Sequence, residues 1–298
     1  LSEKLRQRGI DMTVDARPLS RTLSAIVAEF ELEQASYVTL EQIAAIATRS
    51  GIASSARDLA WRLRKAGWLL DTPARGVWEF APAENAGPFG RGDAFALLRG
   101  LLERRSMATA RVCLISALWL RGWSERAPSR HEVAIARDTI PPAGAKVGYQ
   151  MYRFDSRLSP ETIRGLPVEL PAATLVHIAT RPSRVTSWET IAGALPNLAA
   201  NTDGNELRTE LEGRPPTVSA RLGYLLEGVA PHLIEDVGLR PTTTVTHIGP
   251  HDVPARYNSY WNIADSEMPL DPRGIAPLNS DGDLDTARTI KRRRRGGQ

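Results

Sequence analysis

Residues 39 to 80 constrain this chain more than any other stretch. Thr39 opens a run of Leu-Glu-Gln-Ile-Ala-Ala-Ile-Ala, which breaks at Thr48-Arg-Ser-Gly51. A second run follows from Ile52 to Leu70, then a turn-rich tip over Asp71 to Arg75, and Gly76-Val-Trp-Glu-Phe80. Thr39 with Gln42 three residues on is a capping-box start, in which hydroxyl and amide each satisfy an orphan N–H. Leu40, Ile43, Ala44 and Ala47 then fall on one helical face. Gly51 suits a tight inter-helix turn. Ser55 and Asp58 make a weaker second start; Ala56, Leu59, Ala60 and Leu63 form its buried stripe, and Gly67 sits where a helix C′ residue belongs. Two short aromatic and aliphatic runs around the Asp71–Arg75 tip read as a hairpin. Helix, turn, helix, hairpin is the order of a winged helix-turn-helix.

In that motif the second helix enters the major groove. At 100° per residue, Ser54, Asp58, Trp61, Arg62 and Lys65 face away from the buried stripe, with Arg57 and Arg64 at its flanks. Trp61 is expected to pack under the hairpin. The candidate DNA-binding set is therefore Thr39, Arg49, Ser54, Ser55, Arg57, Arg62, Arg64, Lys65 and Arg75. The arginines suit guanine or phosphate, the hydroxyls suit phosphate, and Arg75 at the tip suits the minor groove or backbone. Asp58 opposes this, and a helix face of this kind also serves protein partners.

The charge distribution agrees. Residues 1–130 carry 19 basic and 14 acidic side chains, residues 131–290 carry 14 and 20, and Lys291 to Arg295 are all basic. The surplus sits with the first part and the tail rather than along the chain. A solvated run is the ordinary reading of such a tail. A lone cysteine, Cys113, rules out an internal disulfide; its apolar surroundings suggest a buried, inert thiol. No stretch reaches 18 apolar residues and no secretory leader is apparent, so a cytoplasmic protein without a membrane span is expected.

The expected organisation is α+β, with a winged helix-turn-helix domain followed by a mixed α/β domain. The boundaries are an arm over 1–19, the winged domain over 20–82, a Pro/Gly-rich linker over 83–92, the mixed domain over 93–270 and a tail over 271–298. Ser20 to Glu33 reads as the first helix. In the mixed domain, helices are expected over 94–105, 109–123, 171–179, 187–199, 205–211 and 217–229. Strands are expected over 131–137, 146–154, 166–170 and 242–248, with 257–263 pairing with the last. Residues beyond 271 are expected to be extended or disordered.

Chemistry is sparse. There is no phosphate-binding glycine loop and no nucleophile elbow. His247 and His251 are separated by Gly249-Pro250 and lack a cysteine neighbour, a poor zinc pattern. Lys146 lacks the acidic partners of a nuclease site. Asp281, Asp283 and Asp285 do not complete a calcium loop. His131 and His177 read as structural. No catalytic residue, metal or cofactor is expected.

Three segments together resemble the AbiEi antitoxins of bacterial type IV toxin–antitoxin systems. They are Leu63-Arg-Lys-Ala-Gly-Trp-Leu with Arg75-Gly-Val-Trp-Glu-Phe, Ser116-Ala-Leu-Trp-Leu-Arg-Gly-Trp123, and Arg221-Leu-Gly-Tyr-Leu-Leu226. The resemblance spans most of residues 20–265; the basic tail has no counterpart in it. It implies a winged domain that binds double-stranded DNA at an inverted-repeat operator to repress its own operon. It also implies a second domain that counteracts a nucleotidyltransferase-like toxin, with no stable complex required. Two other readings stay open: a stand-alone winged-helix regulator whose C-terminal domain senses a ligand, and a DNA-targeted enzyme.

Overall fold

The computed structural model describes residues 19–82 and 92–278. The arm, nearly all of the linker and the basic tail from Lys291 to Arg295 therefore lie outside the described residues, as do Asp281, Asp283 and Asp285. The chain forms two compact units. Of the described residues, one takes those up to 108 together with 140–148, and the other takes 109–139 and 149–278.

The first unit begins with α1 (Arg21–Leu32), whose N-cap Ser20 accepts a hydrogen bond from the Leu23 N–H. Leu23, Ile26, Val27 and Phe30 are its buried stripe, as the sequence spacing requires. Burying a side chain of Phe30's kind contributes about 2 kcal/mol. β1 (Tyr37–Thr39) runs straight into α2 (Leu40–Arg49). Thr39 closes the strand and caps the helix: its Oγ1 accepts from Gln42 N–H at 3.3 Å while Gln42 Oε1 accepts from Thr39 N–H at 2.8 Å. The buried face of α2 is Ile43, Ile46 and Ala47; Ala44, expected inside, points out.

Gly51, at φ +64°, follows α2, and the turn is closed by Gly51 N–H to Thr48 O and Ile52 N–H to Ala47 O. α3 (Ala56–Lys65) ends the same way: Gly67 at φ +77° donates to Arg64 O, and Trp68 N–H donates to Leu63 O. Both are Schellman closures, in which a left-handed residue lets orphan carbonyls be satisfied. β2 (Leu69–Asp71) and β3 (Val77–Phe80) pair antiparallel, and β1 adds to β3 to give the order β1-β3-β2.

α4 (Ala96–Glu103) is where the expected domain boundary at residue 93 fails. This helix packs on β1 and β3 of the first unit. Gly100 makes the approach possible, since a Cβ there would lie 2.5 Å from Val77 Cγ1 and 3.3 Å from Tyr37 Cδ2.

The second unit opens with β4 (Arg111–Val112) and then α5 (Leu114–Leu120), which corrects the single helix expected over 109–123. An apolar run reads alike as buried strand or buried helix. β5 (Glu132–Ile135) follows, and the chain then returns to the first unit for α6 (Ala143–Gly148) before β6 (Gln150–Arg153). The strand expected over 146–154 is thus helix in its first part, because the partial alternation of Val147, Tyr149 and Met151 fits either backbone. β7 (Glu161–Ile163) and β8 (Leu166–Val168) form a hairpin, of which only the second strand was foreseen. The sheet order is β6-β5-β4-β8-β7, with β5–β6 and β4–β8 parallel and the other pairs antiparallel.

α7 (Pro171–Thr180), a 3-10 turn (Pro182–Arg184), α8 (Trp188–Ala200), α9 (Gly204–Leu211), α10 (Pro216–Leu226) and α11 (Pro231–Val237) build the helical layer. α11 was not anticipated. β9 (Thr246–Ile248), β10 (Arg256–Asn258) and β11 (Ile263–Asp265) make a second small sheet of order β10-β11-β9. β9 is shorter than expected and pairs parallel with β11. Residues 271–278 are not simply loose: a 3-10 turn forms over Pro272–Gly274 with Pro272 buried, and Gly228 would clash with its backbone if it carried a Cβ. No helix among the described residues is long and apolar enough to cross a membrane.

α10 runs through the core of this unit. Trp261 is fully buried against Gly223, where a Cβ would sit 2.2 Å from the indole ring. Gly223→Ala is therefore expected to cost about 1–3 kcal/mol through overpacking. Gly193→Ala, on the exposed side of α8 with nothing within 4 Å, should instead be neutral or stabilising by up to ~1 kcal/mol. Urea unfolding of both variants checks the contrast, and equal midpoints would refute the packing assignment.

Candidate functional site

The outward face of α3 and the β2–β3 hairpin border a groove of about 600 Å³ in the first unit. Arg57, Trp61 and Arg64 line it from α3, Arg75 and Trp78 from the hairpin, and Arg104 from the end of α4. Of the nine residues singled out from the sequence, Arg57, Arg64, Lys65 and Arg75 lie on or beside this face and differ in how freely they present charge.

Arg57, Lys65 and Arg75 are exposed and have no carboxylate partner among the described residues. Lys65 Nζ lies 5.2 Å from the centre of the Trp61 ring. Trp61 itself is 56% exposed, so it does not pack under the hairpin as expected. Arg64 is held by Asp71 at 2.5 Å, from helix to β2. Arg62 is turned away: its Nη2 donates to Ser20 Oγ at 3.2 Å, and its Nη1 lies 3.8 Å from Asp58. Its guanidinium braces α3 against the start of α1 rather than standing free.

The remaining residues are placed by local structure. Ser55 is exposed and caps α3, accepting from Asp58 N–H at 3.1 Å, while Ser54 before it is half-buried. Arg49, in the last turn of α2, is paired with Glu29 of α1 at 3.3 Å. Thr39 is fully buried within its capping box, so it is withdrawn as a contact residue. The sequence reading missed Arg104. This residue donates to the Arg75 carbonyl at 2.9 Å and sits 3.7 Å from Glu41, and only the fold of α4 brings it there.

The second unit holds ionisable groups inside, among them Glu132, Glu169, His177, Glu210 and Asp265. Glu169 and His177 are fully buried and joined at 3.1 Å through His177 Nδ1. His177 stacks on Phe154 with ring centres 4.0 Å apart, and Arg214 covers the other side of Phe154 at 4.7 Å. Arg214 is neutralised by buried Glu210 at 2.6 Å, which also accepts from Ser156 Oγ and Arg157 N–H. Cys113 completes a trio with Glu169 and His177 whose ligand-type atoms lie within 4.8 Å of one another, all fully buried. Burial first, then Glu169 and Glu132, raise the Cys113 thiol well above its ordinary value, so it stays protonated and unreactive.

Glu132, on β5, is the second buried carboxylate of the sheet. Ser116 closes a reciprocal pair with it: Ser116 N–H donates to Glu132 Oε2 at 3.2 Å and Glu132 N–H donates to Ser116 Oγ at 2.7 Å. Thr186 donates to its other oxygen at 3.3 Å. Burial outweighs these donors and pushes the carboxyl up to about 7. Arg121 of the same Ser-Ala-Leu segment pairs with Glu161 and donates to the Glu169 carbonyl, which ties the end of α5 to β7 and β8. These groups are interior struts.

With this geometry in view, residues 110–228 match the model of the AbiEi antitoxin C-terminal domain family. The crystal structure of the RV2827C protein from Mycobacterium tuberculosis is similar, with a TM-score of 0.71 and 25% identity, over 85% of this chain and 94% of that one. No curated protein matches the chain.

The raised carboxyl of Glu132 has a measurable sign. In the folded protein it holds its proton to about pH 7, whereas unfolded it releases it near 4.5. The folded state therefore binds more protons in that window, and this contribution to stability falls as pH rises through it. The loss is on the order of 3 kcal/mol at most. Glu132→Gln, which keeps an acceptor for the Ser116 N–H, should flatten the stability change between pH 5 and pH 8 in urea unfolding. An unaltered pH slope would refute the assignment.

Proposed function

Given that the chain carries an AbiEi antitoxin C-terminal domain, we propose that it is the antitoxin of a type IV toxin–antitoxin pair and represses its own operon. On this reading the first unit is a winged helix-turn-helix, with α2 and α3 as the helix pair and β2–β3 as the wing. The observation that carries it is the face shared by α3 and the hairpin, where Arg57, Lys65 and Arg75 stand exposed without carboxylate partners among the described residues. Cations left unpaired on one face seek phosphate, and a helix flanked by a hairpin tip is the geometry that meets groove and backbone together.

The partners are double-stranded DNA at an inverted-repeat operator and, functionally, a nucleotidyltransferase-like toxin. The second unit acts without catalysis, its buried carboxylates being spent on interior hydrogen bonds. A cytoplasmic setting follows from both partners.

The test is a gel shift on the upstream region of the gene, beside random duplex, at two salt concentrations. Three phosphate contacts would give a slope of about −3 in log affinity against log salt. Arg57→Ala/Arg75→Ala should weaken binding by about 2–4 kcal/mol, whereas Arg62→Ala, whose guanidinium is spent on Ser20, should change affinity little and stability slightly. Equal affinity for operator and random DNA would sink the repressor reading. Rescue of cells expressing the neighbouring toxin tests the antitoxin half separately.

A further inference from the structure

The second unit holds an unneutralised basic pocket that the operator reading does not use. It has a volume of about 710 Å³ and lies between the end of α7 with its 3-10 turn and the loop after β9. Arg181 and Arg184 line it from the turn, Arg221 from α10, and His247 and His251 from β9 and its loop. Glu267 is the one acidic lining residue.

The charges have no internal answer. Arg181 and Arg184 are exposed and have no carboxylate partner among the described residues. Arg221 is half-buried, and each of its hydrogen bonds ends on a neutral acceptor: Ala179 O and His247 O at 3.1 Å and Thr246 Oγ1 at 3.0 Å. Its positive charge is therefore fixed in place without a carboxylate partner among the described residues. The rings of His247 and His251 lie 3.8 Å apart, centre to centre. Two polar atoms of the lining residues, Thr180 Oγ1 and His247 Nδ1, are buried and have no hydrogen-bond partner among the described residues. A buried polar atom left unpaired costs free energy that a bound ligand can recover.

We propose that this pocket binds the phosphates of a small nucleotide. Guanidinium groups are suited to phosphate oxygens by their planar fork of donors. The volume exceeds what one phosphate fills and falls in the range of small-ligand sites. A walled pocket with its cations gathered at one place also differs from the extended cationic track that duplex DNA requires. The residues come from both sides of the family match, since Thr180 to Arg221 lie within it and His247 and His251 lie beyond it. The inference is independent of DNA binding by the first unit.

Titration calorimetry on the full chain, at low salt, tests it with inorganic pyrophosphate, ATP and GTP, beside a random duplex. Saturable binding of at least one nucleotide is expected below about 1 mM. Arg181→Ala/Arg184→Ala should weaken it by about tenfold or more while leaving the unfolding midpoint unchanged, because both side chains are exposed. Absence of nucleotide binding overturns the proposal, as does equal binding by wild type and variant. Binding of pyrophosphate with neither nucleotide overturns the nucleotide assignment. Loss of duplex affinity alone in the variant would make the surface a nucleic-acid backbone contact, and the nucleotide pocket would again be refuted.

Discussion

Arg221 is the constraint on which the second unit turns. Its guanidinium fans out to a carbonyl at the end of α7, a carbonyl of β9 and the hydroxyl of Thr246, so one side chain from α10 ties the end of α7 to β9. Two residues further along α10, the bare backbone of Gly223 admits Trp261, and Tyr224 beside it donates to buried Asp265 at 2.8 Å. The segment Arg221-Leu-Gly-Tyr is thus explained residue by residue: a pin, a core leucine, a seat for an indole, and a hydroxyl that satisfies a carboxylate inside the protein. Burial and Asp265 both raise the Tyr224 phenol, which keeps it a donor at any working pH.

The same economy governs the five-stranded sheet. Buried carboxylates are costly unless donors surround them, and each one here is met by groups from a different element. Glu169 is met by the imidazole of α7, Glu132 by Ser116 and Thr186, and Glu210 by Arg214 and the chain at Ser156–Arg157. Phe154 lies between Arg214 and His177 as a stacked spacer. Such a network specifies one arrangement of strands and helices, because a slipped register would strand a charge.

What the sequence made legible was local. Thr39 with Gln42, Gly51 and Gly67 are signals whose cause lies within four residues, and all three occur as capping box and left-handed helix ends. The stripe of α3, Leu59, Ala60 and Leu63, was readable for the same reason. Residues 109–123 and 146–154 were not, because an apolar run and a partial alternation fit two backbones, and the choice between them was made by strands and helices far along the chain. The candidate interface divides likewise. Arg57, Lys65 and Arg75 were legible from helical geometry and turn composition. Arg62 reads as equally free until Ser20 is seen beside it, and Thr39 reads as accessible until β1 is seen to bury it. Glu169 with His177 and Ser116 with Glu132 left no spacing signal, since their partners meet only in the folded sheet.

The excursion of residues 140–148 into the first unit has a consequence for how the protein is made. The chain passes between its two units at 108–109, 139–140 and 148–149. During synthesis the first unit stays incomplete until α6 has emerged, and by then β4, α5 and β5 have already left the ribosome without β6, β7 or β8 to pair with. The two units are therefore folded in an interleaved order, not one after the other. A gene fragment cut at the apparent linker would leave the first unit in two pieces, with α4 and α6 carried on the fragment that holds the second unit.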